Sequence, residues 1–364
     1  MQLYVSNPIL HTVLFSIALF GAILFTSKKR NEERILGLEA TTELKGYSIL
    51  AVVFSHIGYF LSTNSQLLFP LSIAAGVAVN FFFLLSGFGL TVSMLKKQIG
   101  ALEFYKRRFI KIIIPLWLTL IVWYILDFFI LRISYPASSV VQSFFGVFAS
   151  SDIFHAVNSS LWFITPLFFF YLIFPLVVRR DHPYRSAFLM GLFAFIFMKL
   201  LPHADQGIVN LYGAHWASFP LGIALAGFVT TYESTIREWV RGWRRYAFSV
   251  LLLTVFAYLL FHAAIGTPSE QWVSLVAVIA GIFAFITLPL RSRFVGLLGA
   301  YSFEIYLLHW PLLYRYGFWF KAVPTWIGLI IGFALLLALA WFLRFLTEKV
   351  NGFLNALLLH FVIK

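Results

Sequence analysis

The sequence contains no cysteine, which excludes disulfides, thiolate nucleophiles and Cys-ligated metals while leaving the compartment open. Charge is scarce as well: 11% of residues are charged against 61% hydrophobic, too few to cover the surface of a soluble domain. Acids are scarcer than bases, 14 against 27, for a formal net charge of +13. Such an excess can mark a nucleic-acid binder, but here the basic residues stand in short clusters between apolar runs, as membrane topology requires. No repeat, low-complexity tract or linker breaks the pattern. About eleven spans of ~20 residues fill the chain and leave no room for a separate soluble domain.

The apolar runs fall at residues 8–26, 46–62, 70–95, 112–131, 159–178, 186–201, 208–230, 246–264, 271–290, 295–314 and 324–346. The first is preceded by no positive residue and followed at once by Lys28, Lys29 and Arg30, the reverse of a secretory signal peptide. It reads as a retained span with the N-terminus outside. All Lys and Arg except Arg132, Lys199, Arg315 and Lys321 then fall on the cytoplasmic side, the asymmetry expected of a correct threading. Residues 132–158, with Asp152, His155 and Asn158, form the longest external loop and the natural cover of an external site. Residues 350–364 are too short to span and are expected as an amphipathic helix at the cytoplasmic interface, which puts the C-terminus inside. Residues 1–364 thus read as one all-α polytopic membrane domain, with an extra span at 8–26 and a core over about 40–346.

One stretch concentrates ionisable groups inside an apolar run. From Lys45 to His56 the chain advances eleven residues; at ~100° and ~1.5 Å per residue this returns almost to the starting azimuth roughly 16 Å further along. The two side chains share a helix face, the cation at the membrane rim and the imidazole near the middle of a hydrocarbon layer ~30 Å thick. An ionisable group at that depth is a functional hypothesis by default.

Five elements in order resemble the acyltransferase-3 family of membrane acyltransferases: Lys45 with His56; Asn80-Phe-Phe-Phe-Leu-Leu-Ser-Gly-Phe88; Phe104-Tyr-Lys-Arg-Arg-Phe-Ile-Lys-Ile-Ile-Ile-Pro115; Leu161-Trp162-Phe163 with Tyr171 and Pro175; and Tyr301-Ser-Phe-Glu-Ile-Tyr-Leu-Leu-His-Trp-Pro311. Three departures stand out. A span precedes the Lys45 helix, Asn80 occupies a position where the family often has an acid, and no extracytoplasmic esterase-like domain is expected to follow. The resemblance implies an O-acetyltransferase type of reaction: an acyl group, acetyl above all, passes from cytoplasmic acyl-coenzyme A to a hydroxyl of an envelope carbohydrate or glycolipid. Acyl-coenzyme A is a co-substrate here, and no bound cofactor is expected.

The residue chemistry is compatible with that reaction. Lys45, Arg107, Arg108 and Lys111 at one rim suit the donor's phosphates through charge-assisted hydrogen bonds, although basic residues also gather there merely to set orientation. A neutral His56 could act as general base or carry the acyl group; as a plain structural residue it would only bridge helices. Glu304 could orient His56 or bind a polar acceptor, or simply hydrogen-bond a neighbouring helix. His309 lies five residues further on, ~140° around the helix, and with Trp310 is expected toward the outer interface. Trp162 could stack on a sugar, whereas Tyr171 is expected to pack. Ser86-Gly87 lacks the flanking glycines of a nucleophile elbow and suits close helix packing. Asp127 is expected at the interface. The remaining histidines show no metal-ligand spacing, so no metal is proposed. A transporter of a glycan or lipid-linked sugar, with His56 and Glu304 as a proton relay, is the rival reading.

Overall fold

Backbone amides in a hydrocarbon layer have no water to bond, so apolar runs of this length fold as helices. They do so in the computed structural model of the protein, which describes residues 2–29, 35–148, 156–200, 205–240, 242–263, 269–288 and 290–362. Arg30, Asp152, His155, His203 and Arg241 lie outside the described residues. In chain order the helices are α1 (Pro8–Phe25), α2 (Leu38–Ser55), α3 (Ala75–Lys96), α4 (Ala101–Leu126), α5 (Ala137–Phe144), α6 (Ile164–Val177), α7 (Pro183–Lys199), α8 (Gln206–His215), α9 (Ser218–Trp239), α10 (Trp243–His262), α11 (Glu270–Thr287), α12 (Arg293–Ala300), α13 (Ser302–Tyr314) and α14 (Thr325–Val362).

Among the described residues, 8 helical stretches are long and apolar enough to cross a membrane. The other three expected spans fall on shorter or interrupted helices. Residues 186–201 lie largely on α7, which has 17 residues; 208–230 are divided between α8 and α9; and 295–314 are broken at Tyr301, between α12 and α13. The separate interfacial helix expected at 350–364 is replaced by a continuation of α14, which runs unbroken from Thr325 to Val362. The one helix breaker nearby, Gly352, carries a penalty of only about 1 kcal/mol relative to Ala, too little to end a helix that is otherwise well formed.

Glycines set the closest helix crossings. A methyl group added to Gly87 of α3 would strike the Phe219 carbonyl of α9, and one added to Gly222 of α9 would strike the Leu84 carbonyl of α3. In the same way Gly46 of α2 abuts Val295 of α12, and Gly299 abuts Thr42. Small residues let backbones touch, the usual basis of helix association in lipid. The Gly46 contact places Lys45, its neighbour, against a rigid crossing.

A short antiparallel ribbon joins β1 (Ser27–Lys29) to β2 (Leu290–Ser292), with Lys28 opposite Arg291. Glu43, 1% exposed, accepts the Ser292 amide at 2.8 Å, and Glu39 pairs with Arg291. These contacts hold the Lys45 end of the bundle. At the far end Leu3 bridges to Ser62, and Arg315 donates to Asp127 and to the Ala156 carbonyl. Two helices change their winding there: α2 passes at His56 into a π-helical turn, His56–Leu61, and α4 at Asp127 into another, Asp127–Leu131. Such turns widen a helix locally and recur at functional sites.

Candidate active site

The bundle contains an open cavity of about 640 Å³, within the range of roughly 300–1,000 Å³ common for small-molecule sites. Lys45, Arg108 and Lys111 line one end, His56 and Tyr306 the middle, and Gly76, Trp162, His215 and Glu270 the end reached by the start of α3 and α11. Lys45 and His56 therefore open on one space, as their helical spacing requires.

At the basic end none of Lys45, Arg108 and Lys111 belongs to an ion pair within the described residues, and the three are close enough to repel one another. The Arg108 Nε is buried without a hydrogen-bond partner, while its guanidinium lies 5.6 Å from the centre of the Phe104 ring and 5.8 Å from that of Tyr171. A cluster of cations with an unsatisfied donor is costly unless an anion completes it. Tyr171, expected only to pack, is thus a wall of this end. Arg107 is turned away: it is 60% exposed and pairs at 2.6 Å with Glu103, one turn earlier on α4.

Glu304 does not reach His56. Arg344 of α14 grips both of its carboxylate oxygens at 2.8 Å, donates to the Ala300 carbonyl and stacks 4.2 Å from the Tyr301 ring centre. The carboxylate fastens α13 to α14 at the break before α13, and a proton relay from His56 to Glu304 has no support in this arrangement.

His56 meets His309 instead. The His56 Nδ1 stands 2.9 Å from the Val52 carbonyl and 3.1 Å from the His309 Nε2, and the His309 Nδ1 stands 2.8 Å from the Tyr306 carbonyl. The His56 ring is enclosed by Phe60, Trp310 and His309, with centroids at 5.5, 4.9 and 4.8 Å. His309 is 0% exposed, not at the outer interface where its Trp-Pro context suggested. Spacing along α13 correctly separates it from Glu304, but only the tertiary fold brings α13 across the end of α2.

Asn80 is fully buried and is no partner of His56. Its amide donates to Ser274 at 2.8 Å, and its oxygen receives Ser218 at 2.5 Å and lies 2.7 Å from the His215 Nδ1. It knits α3, α8, α9 and α11 together beneath the far end of the cavity. Ser86 lines the cavity, leaving the close packing to Gly87. Trp162 also lines it, stacked on His215 at 5.5 Å and 20°. His215, given no role from sequence, had no signal beyond being a polar residue in an apolar run. Asn158 donates to the Leu307 carbonyl at 2.9 Å and Tyr306 to the Ser160 carbonyl, fastening the 3-10 turn Ser159–Phe163 to α13.

Asp127, expected at the interface, is 0% exposed. It accepts Tyr135 at 2.6 Å, Tyr316 at 3.0 Å, and Arg315. Burial, together with the Asp127 carboxylate, pushes the Tyr135 and Tyr316 hydroxyls above the usual tyrosine range. This closed ion pair binds the two chain segments that leave α4 and α13, and it contains no unsatisfied cation.

Neither a curated protein nor a solved structure matches the chain. A family model described as an acyltransferase domain matches residues 44–345, a span that takes in the cavity from Lys45 through His309 and reaches the Glu304–Arg344 clamp. With its apolar helices, its central cavity and this match over most of its length, the chain belongs to the acyltransferase-3 family of multi-pass membrane acyltransferases.

Proposed function

We propose that the protein transfers an acyl group, acetyl by preference, from cytoplasmic acyl-coenzyme A to a hydroxyl of a cell-envelope carbohydrate or glycolipid. The observation that carries this reading is the pairing, in one cavity, of an imidazole with a basic end where Lys45, Arg108 and Lys111 form no ion pair among the described residues and the Arg108 Nε has no hydrogen-bond partner. Lys45, Arg108 and Lys111 receive the donor's phosphates, and the pantetheine arm carries the thioester toward His56. The basic end faces the cytoplasm, in keeping with the clustering of Lys and Arg there. The acceptor enters from the end bounded by Trp162, His215 and Glu270, where an indole face and polar groups suit a sugar hydroxyl. His56 removes the hydroxyl proton as general base or first takes the acyl group itself.

The test uses membranes from cells that carry the protein, supplied with acetyl-coenzyme A labelled in the acetyl group. Label should enter the envelope carbohydrate or glycolipid fraction. His56→Gln keeps size and hydrogen bonding but not basicity, and should reduce incorporation by the ~10²-fold or more that a general base contributes. Incorporation at the wild-type rate would make His56 structural and the reading wrong.

A further inference from the structure

We infer that His309 is the positioning residue that fixes the proton of His56 on Nδ1 and so presents the Nε2 lone pair to the substrates. The inference rests on the acyl-transfer reading above and adds a second residue to it. A backbone carbonyl can only accept, so the contact from His309 Nδ1 to Tyr306 puts a proton on that nitrogen. His309 is 0% exposed and hydrogen-bonds no carboxylate among the described residues, a setting in which the neutral ring, with one proton, is the stable form. Its Nε2 is then an acceptor. Facing that acceptor at 3.1 Å, and the Val52 carbonyl at 2.9 Å, is the Nδ1 of His56. Both neighbours accept, so the His56 proton lies on Nδ1 and the lone pair on Nε2. A protonated His309 donating to His56 would leave the Nδ1 lone pair of His56 against the Val52 carbonyl, and the geometry disfavours it.

The π-helical turn that begins at His56 makes this possible. It interrupts the regular helix where the ring must reach both its own helix, at Val52, and α13, while His56 still lines the cavity. In the reaction the acceptor oxygen attacks the thioester carbonyl as its proton passes to His56 Nε2. The carbon–sulfur bond then breaks, and the coenzyme A thiolate takes that proton back from Nε2. Throughout, Nδ1–H stays on His56 and is held more strongly by His309 Nε2 while the ring is positively charged. His309 touches neither substrate, and its part parallels that of a group that orients a reactive imidazole.

Two variants and one spectrum test this. His309→Leu removes the acceptor; in His309→Gln the side-chain oxygen can replace Nε2. With labelled acetyl-coenzyme A and native membranes, His309→Leu should lower the rate at saturating donor by about 10- to 100-fold, by analogy with the loss of the partners that orient metal-ligating imidazoles. The KM for acetyl-coenzyme A should stay unchanged, and His309→Gln should recover most of the rate. An unaffected His309→Leu, or a His309→Gln as impaired as a well-folded His309→Leu, would overturn the inference. Nitrogen-15 spectra of histidine-labelled protein in detergent micelles, with His56 identified by its loss in His56→Gln, read the proton directly whether or not either variant folds. A protonated Nδ1 and bare Nε2 are expected, and the reverse pattern would overturn the assignment. If His56→Gln retained full transfer, the reaction reading would fall, while the spectrum would still report on the pairing.

Discussion

α2 and α10 are both apolar helices able to cross a membrane, yet 67% of the most apolar window of the first stretch is buried in the protein and only 6% of the second. Apolarity does not separate them, because lipid tails and protein interior are equally good solvents for Leu and Phe. What differs is the minority of residues. α2 carries Lys45, Gly46, Ser48 and Ser55 and ends at His56, each committed to a helix crossing, a hydrogen bond or the cavity. Along its apolar length α10 offers Ser249 and Thr254, both bonded one turn back to their own helix, and Ser249 also to Thr287 of α11. In lipid, glycine, small polar and ionisable residues mark the functional centre, and apolar residues mark only the medium.

If that contrast is right, substitutions should rank by region. The largest effect belongs to His56→Gln, with transfer down ~10²-fold or more and the folded bundle intact by thermal unfolding in detergent. Next is Gly222→Leu, which forces a side chain into the Leu84 backbone of α3; it should destabilise the solubilised protein by about 1–3 kcal/mol, as overpacking does, and lower its Tm. Lys45→Ala and Arg108→Ala should each weaken coenzyme A binding about tenfold, ~1.4 kcal/mol by calorimetry, and high salt should mimic them in part. Arg107→Ala, two-fifths of whose side chain is shielded and whose partner is the neighbouring Glu103, should leave donor binding unchanged. The smallest effect belongs to Leu251→Ala on the lipid face of α10, where stability should move by no more than about 0.5 kcal/mol. Donor binding lost equally in Arg107→Ala and Arg108→Ala would dissolve the distinction between rim charge and cavity charge.

Much of this was legible in the sequence where one helix suffices. The Lys45–His56 face follows from the helical period alone, and both residues line the cavity. Arg108 and Lys111, one turn apart on α4, also reach it, while Arg107 next door does not. What period cannot give is the partner from another helix. By sequence Glu304 could orient His56, but Arg344, far along the chain, claims its carboxylate. His309 looked interfacial because Trp and Pro follow it, yet the crossing of α13 over the end of α2 buries it against His56. Asn80, standing where the family often has an acid, ties four helices through Ser274, Ser218 and His215. Hydropathy likewise found apolar runs more readily than helix breaks: it marks neither the interruption at Tyr301 nor the unbroken course of α14.

The central claim is that the donor enters through the Lys45, Arg108 and Lys111 end from the cytoplasm and meets the acceptor at His56. Sealed inside-out and right-side-out membrane vesicles, each given labelled acetyl-coenzyme A on the outside only, test it directly. Label should be transferred in inside-out vesicles and fall to background in right-side-out vesicles, where the basic end faces the lumen. Equal transfer in intact vesicles of both orientations would contradict the account.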